Sequence, residues 1–365
     1  MPARFDRYRH TAGYNAVINS RQFRGGGTIT PWPTNYWPPS VIYRDRLDLR
    51  VGDQRFALRH ARGETDDATW VFAADRRVLC TGDLFVWVTP NAGNPQKVQR
   101  YAGEWAIALR AMASEQPELL LPGHGPPIVG ADRVQQALGD TAAYLETLEA
   151  GAVAMMNEGA ALDEIVSAVS PPFELLGRPY LLPIYDEPEF IVRNVWRLNG
   201  GWYNGQAAHL KPAPETDLGA EVANLAGGAD ALIARASELA EVGEPRMAGH
   251  LADWAYQAAP DDAAVREAPR PDLRTAGVSG AIHDGGGHLP RHGARHGNRA
   301  GRRVGLPAAA ASPTELDATG TIATILELRR LIDGFTRRHA RPRHDAIRSG
   351  DVLHADARLA RSRRR

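Results

Sequence analysis

The sequence of 365 residues predicts an α/β layer, then an α-helical domain, then a basic tail that is disordered or partly helical. Three observations carry this reading. Short apolar runs separated by Gly/Asp-rich turns fill 41–81, and from about 131 the apolar residues recur at helical spacing. Aromatic residues then run out: all eight Trp precede residue 255, and Phe335 is the one aromatic after 267. A tail so poor in large apolar groups cannot bury much of a core. The divisions are therefore placed at 1–130, 131–267 and 268–365.

The elements follow in order. Residues 1–23 read as a helical or mixed lead-in, and RGGGTITPWPTNYWPPS (24–40) as irregular loop. Strands are expected at 41–51, 55–61, 69–74 and 77–81. A helix near 95–114 carries Trp105, Leu109 and Met112 on one side and leads to a strand at 118–122 that stops at GHGPP. Helices are expected over 131–157, 162–169 and 190–198, with pairs of helices of the helix-turn-helix repeat kind beyond 217.

Composition narrows the function classes. At 43% hydrophobic and 24% charged residues the chain has globular averages. No run approaches eighteen apolar residues, so a transmembrane helix and a membrane partner are not expected. MPARFDRYRHTAGYNAVINS has charges where a signal peptide needs an apolar centre, and the single Cys80 cannot form an internal disulfide. Both suit a cytoplasmic protein. The zero net charge hides −10 over 1–267 and +10 over 268–365, and all but Lys97 and Lys211 of the 43 basic residues are Arg.

Three polar clusters sit at the ends of expected strands, where α/β folds tend to place their sites: Glu64 in HARGETDD, Asp83 in CTGDLF and His124 in LPGHGPP. Carboxylates and imidazole are zinc ligands, and separate loops can bring them to one ion. Alone, Glu64 reads equally as a turn or cap acid and Asp83 as part of a Gly-Asp turn. His124, between two glycines and before two prolines, has fewer structural excuses. Other chemistries lack their signatures. There is no Gly-x-Ser-x-Gly elbow, and GGG at 25–27 lacks the Gly-Lys-Ser/Thr of a phosphate loop. Cys80, inside an apolar strand, reads as a buried structural thiol.

Taken in order, the three clusters resemble the second half of the metallo-β-lactamase superfamily, and more closely its alkyl sulfatase-like branch. The resemblance continues through NPQKVQRYAGEW (94–105), MMNEGAALDEI (155–165), PYLLPIYDEPEFIVRNVWRLNGGWYNG (179–205) and LAGGADAL (225–232), which are similar to the alkyl sulfatase dimerisation domain. It implies a partial αββα sandwich followed by a helical dimerisation domain, and hence a homodimer. It implies Glu64, Asp83 and His124 as metal ligands, Asp83 as the bridging acid, two zinc ions in intact relatives and one or none here. It also implies hydrolysis of a small anionic sulfate or related ester by metal-activated water. Arg100, Asn91 and Asn94, on the loop following Asp83, are the candidates for binding that anion, with Tyr14 and Asn15 in TAGYNAVIN second.

The departures from the family pattern carry expectations too. The superfamily's His-x-His-x-Asp-His motif occurs nowhere in the sequence, and Ala68 stands where a histidine is expected in close relatives. The chain therefore reads as one lacking the first half of its metal domain, with negligible sulfatase activity as written. The alternative is a catalytically impaired homologue that persists as a helical dimerisation module. In the tail, DGGGHLPR (284–291) is what the family phrase LMAEGIYR becomes when read out of frame, which points to a frameshift upstream of residue 283. On that reading His283, His288, His292 and His296 are not a metal tract, and the basic RSRRR end has no nucleic-acid partner.

Overall fold

The computed structural model describes residues 6, 9–14 and 39–268. Asn15, most of the loop 24–40 and the tail beyond 268, with His283, His288, His292 and His296, lie outside the described residues.

The first layer is one mixed sheet of six strands in the order β1 (Arg46–Val51), β2 (Gln54–Ala61), β3 (Ala68–Ala73), β4 (Val78–Val86), β5 (Leu119–His124) and β6 (Ile128–Val129). β1 to β4 form an antiparallel meander, β5 joins β4 in parallel, and β6 closes a short hairpin on β5. A parallel neighbour needs a crossover, and helix α1 (Ala102–Ser114) supplies it between β4 and β5. The strand alternation sets what each face does. Trp70, Phe72, Leu79 and Leu120 are buried against α1 and α2 (Ala131–Asn157). On the opposite face Leu47, Leu49, Phe56, Leu58, Val71, Cys80 and Leu121 lie in register across β1 to β5 and are only partly buried. Among the described residues there is no second sheet over that face.

Trp105 is the centre of the crossover. Its side chain is fully buried, and its indole Nε1 donates to the Leu84 carbonyl at 2.7 Å. It thereby fixes α1 to the second half of β4 while meeting the polar requirement of a buried Trp.

The helical region continues with α3 (Leu162–Ala168), α4 (Phe173–Leu176), α5 (Pro188–Gly200), α6 (Glu215–Ala226), α7 (Ala229–Glu241), α8 (Pro245–Ala258) and α9 (Ala263–Glu267). One apolar core runs from the sheet through α1, α2, α3 and α5, including Leu145, Leu148, Ile165, Ile191 and Val195. A second, smaller one, built on Ala223, Leu232, Ala255 and Tyr256, lies under α6 to α9. No helix among the described residues is long and apolar enough to cross a membrane.

The differences from the sequence reading have local causes. β1 starts at Arg46, not 41, because Tyr43 leaves the ladder and shares a hydrogen bond with Thr69 Oγ1 at 2.6 Å. α1 starts at Ala102, not 95. The Asn94 side chain accepts the Gln96 amide at 2.9 Å and its carbonyl accepts the Lys97 amide at 3.0 Å. That turn competes with a helical start. β4 and β5 run on to Val86 and His124, which puts Asp83 and His124 inside strands rather than in the loops after them.

Candidate metal centre

Asp83 and His124 are delivered by the two parallel strands. The β4–β5 register is irregular between Cys80 and Gly82 and again between Gly82 and Val86. Such irregularities re-aim a side chain at a site. His124 Nε2 lies 3.5 Å from Asp83 Oδ1, with the histidine 78% and the aspartate 49% exposed. Gly123 makes the approach possible. A Cβ there would stand 2.1 Å from Asp83 Oδ1 and 2.7 Å from the Gly82 carbonyl carbon, so only glycine lets the end of β5 pass under the carboxylate.

Glu64 comes from the loop between β2 and β3. Its Oε1 accepts from Asn91 Nδ2 at 2.9 Å and from Arg100 Nη1 at 2.7 Å. Arg100 is almost wholly buried and also donates to the Asn91 carbonyl at 2.7 Å. Arg100 Nε and Asn91 Oδ1 are buried with no hydrogen-bond partner among the described residues. The Asp83 carboxyl is pushed above the usual carboxylate range by burial and then by the neighbouring Glu64 carboxylate, with His124 and Arg100 acting the other way.

Of the residues named from the sequence, Glu64, Asp83, His124, Arg100 and Asn91 thus come together. Asn94 is buried nearby, its side chain used in the turn before α1. Tyr14 lies on an exposed helical segment and joins none of the described hydrogen bonds of this cluster. Sequence reasoning missed Asn194 and Asp186, which hold the loop bearing Asn91 and Arg100. The signal for Asn194 was an amide on the same helix face as Ile191 and Val195.

Whether this donor set suits zinc can be tested on the geometry. Two donors on one tetrahedral zinc, with bonds of ~2.1 Å, stand ~3.4 Å apart, which is the spacing of Asp83 and His124. Glu64 would join through its second oxygen, since Asn91 and Arg100 hold the first. Among the described residues no group of three His, Cys, Asp or Glu side chains is already arranged as a metal cage. The pair fits an ion as it stands, and the third donor requires a shift of Glu64.

Comparison with known proteins supports the same assignment of the chain. Residues 161–279 match the alkyl sulfatase dimerisation family. A linear primary-alkylsulfatase of Pseudomonas sp. is 26% identical over 244 residues, 66% of this chain and 46% of that protein. An (R)-specific secondary-alkylsulfatase of Pseudomonas sp. is 28% identical over 187 residues, 50% of this chain and 28% of that protein. The solved structure of the stereoselective inverting sec-alkylsulfatase Pisa1 from Pseudomonas sp. superposes with a TM-score of 0.63 at 25% identity, covering 71% of this chain and 43% of that one. The chain spans less than half the length of these relatives. In sequence and in fold the chain is thus similar to the alkyl sulfatase-like branch of the metallo-β-lactamase superfamily.

Proposed function

We propose that this chain carries the Glu64–Asp83–His124 part of the metal site of a zinc-dependent hydrolase that cleaves a sulfate or related ester, and that it assembles as a homodimer through its helical region. The observation that carries the proposal is the convergence of two carboxylates and an imidazole from the loop after β2, the second half of β4 and the end of β5. A second carboxylate beside Asp83 raises its pKa, and a cation between them would relieve that repulsion.

Zinc bound there would supply a water of lowered pKa and a positive charge for the departing group. The rest falls to the protein. The His124 side chain is exposed and that of Asp83 half-exposed, so an ion and its ester could reach them from solvent. Arg100 holds Glu64 in place from below, and its unpartnered Nε is a buried donor beside the site. Homodimer formation rests on the match of 161–279 to the dimerisation family.

The test has two arms. Zinc titration of the chain is expected to show binding that Asp83→Ala or His124→Ala removes. Sulfate release from octyl sulfate is expected from a form extended with the relatives' His-x-His-x-Asp-His segment, and to be lost in its Glu64→Ala and His124→Ala variants. An extended form that binds zinc and releases no sulfate would contradict the substrate class.

A further inference from the structure

The loop from Trp87 to Tyr101 carries Asn91 and Arg100; its two ends bond to the sheet domain, at the Pro126 and Gly63 carbonyls, and its middle is anchored to the helical region. Thr89 bonds the chain at 181–182, its Oγ1 donating to the Leu181 carbonyl at 2.8 Å and its amide to the Leu182 carbonyl at 3.0 Å. The fully buried Asp186 accepts the Gly93 amide at 2.5 Å and the Glu187 amide at 2.8 Å. Gly93 has no room for a side chain: a Cβ would stand 2.1 Å from the Ile191 nitrogen and from the Phe190 carbonyl carbon. The loop is therefore seated on the first turn of α5.

Asn194, one turn further along α5 and buried, makes the decisive contacts. Its Nδ2 donates to the Ala92 carbonyl at 2.7 Å and to the Arg100 carbonyl at 2.8 Å. One amide group thus staples the residue after Asn91 to Arg100 itself. Asn91, the neighbour of Ala92, and Arg100 are the donors to Glu64 Oε1. The amide's orientation is set from its other side, where Arg197 Nη2 donates to Asn194 Oδ1 at 2.8 Å and Arg197 Nε to Gln99 Oε1 at 2.9 Å.

We propose that Asn194 is a positioning residue: through the Ala92 and Arg100 carbonyls it sets the Arg100 guanidinium and the Asn91 amide on Glu64, so that the helical region dictates the geometry of the candidate site. Its consequence for chemistry rests on the metal-site reading above, whereas the positioning itself does not need a bound ion. Loss of the Asn194 amide leaves the Ala92 carbonyl without that donor and the Arg100 carbonyl held by Gln99 Nε2 alone, at 2.8 Å, so the guanidinium is less firmly set.

The test is the exchange of the Arg100 guanidinium protons with water, measured by nitrogen-detected NMR on the full chain without metal. Asn194→Ala is expected to speed that exchange at least about tenfold, as Glu64→Gln does, while amide shifts of α1 and α2 stay in place. Arg197→Ala, which leaves Asn194 present but unoriented, is expected to give a smaller increase in the same direction, and it stands in if Asn194→Ala does not fold. Unchanged Arg100 exchange in folded Asn194→Ala, or in Arg197→Ala where the first variant does not fold, would overturn the proposal. A wild-type chain that binds no zinc would instead overturn the metal-site reading and leave this result standing.

Discussion

His124 Nε2 stands 3.5 Å from Asp83 Oδ1, joining the end of β5 to the second half of its parallel neighbour β4, to which the chain links it by the crossover through α1. An exposed imidazole at that distance contributes little to stability. Its removal should therefore be felt in metal affinity and not in the fold. His124→Ala is expected to weaken zinc binding by more than the ~10–100-fold typical of losing an outer-sphere partner, with an unchanged circular dichroism spectrum. Competition against a chromophoric chelator measures it.

Gly123 lets the same two strands meet. In Gly123→Ala the new methyl falls 2.1 Å from Asp83 Oδ1, so the carboxylate or the strand end must move. Overpacking of this kind costs about 1–3 kcal/mol. Urea unfolding should show that loss, and zinc affinity should fall with it.

Glu187, half-buried at the start of α5 and close to Glu189, has its pKa raised from 4.5 to about 7, burial being the largest cause. A carboxyl whose folded pKa lies above its unfolded one binds a proton on folding. Its contribution is fully present below the unfolded value and is lost as pH rises through about 7. Glu187→Gln is therefore expected to raise the melting temperature by a few degrees at pH 8 and by much less at pH 5. Melting curves at the two pH values check the sign.

Trp105→Phe keeps most of the buried area but removes the donor to the Leu84 carbonyl. A buried acceptor left unmet costs about 1–3 kcal/mol, so the chemical-denaturation midpoint should drop accordingly. The loss should fall on the crossover, visible as faster amide exchange in α1 and β4.

Much of the fold was legible because its signals are local. Thr69 to Ala73 alternate as a half-buried strand does, and Val134, Leu138, Leu145 and Leu148 repeat at helical spacing along α2. Glu64, Asp83 and His124 stand at or near expected strand ends, but Glu64 and Asp83 alone read equally as turn acids, and the family resemblance is what singles them out as candidate ligands. The limits were tertiary. Asn94 stops α1 from starting early by closing its own turn, which overrides the helical pattern of 95–101. Arg100 was expected to meet an anion and instead lies buried against Glu64. Asn194 and Asp186 act on the loop from about a hundred residues away in the chain, and no periodicity reports such a contact.

On the proposed reading Glu64, Asp83 and His124 share one divalent ion. Zinc stoichiometry and affinity of the full chain, measured by isothermal titration for the wild type and for Glu64→Ala, Asp83→Ala and His124→Ala, test it most directly. One zinc per chain is expected in the wild type, with binding at least about tenfold weaker in each of the three variants. Binding that is indifferent to all three substitutions, or a wild-type chain that takes up no zinc at millimolar concentration, would contradict it.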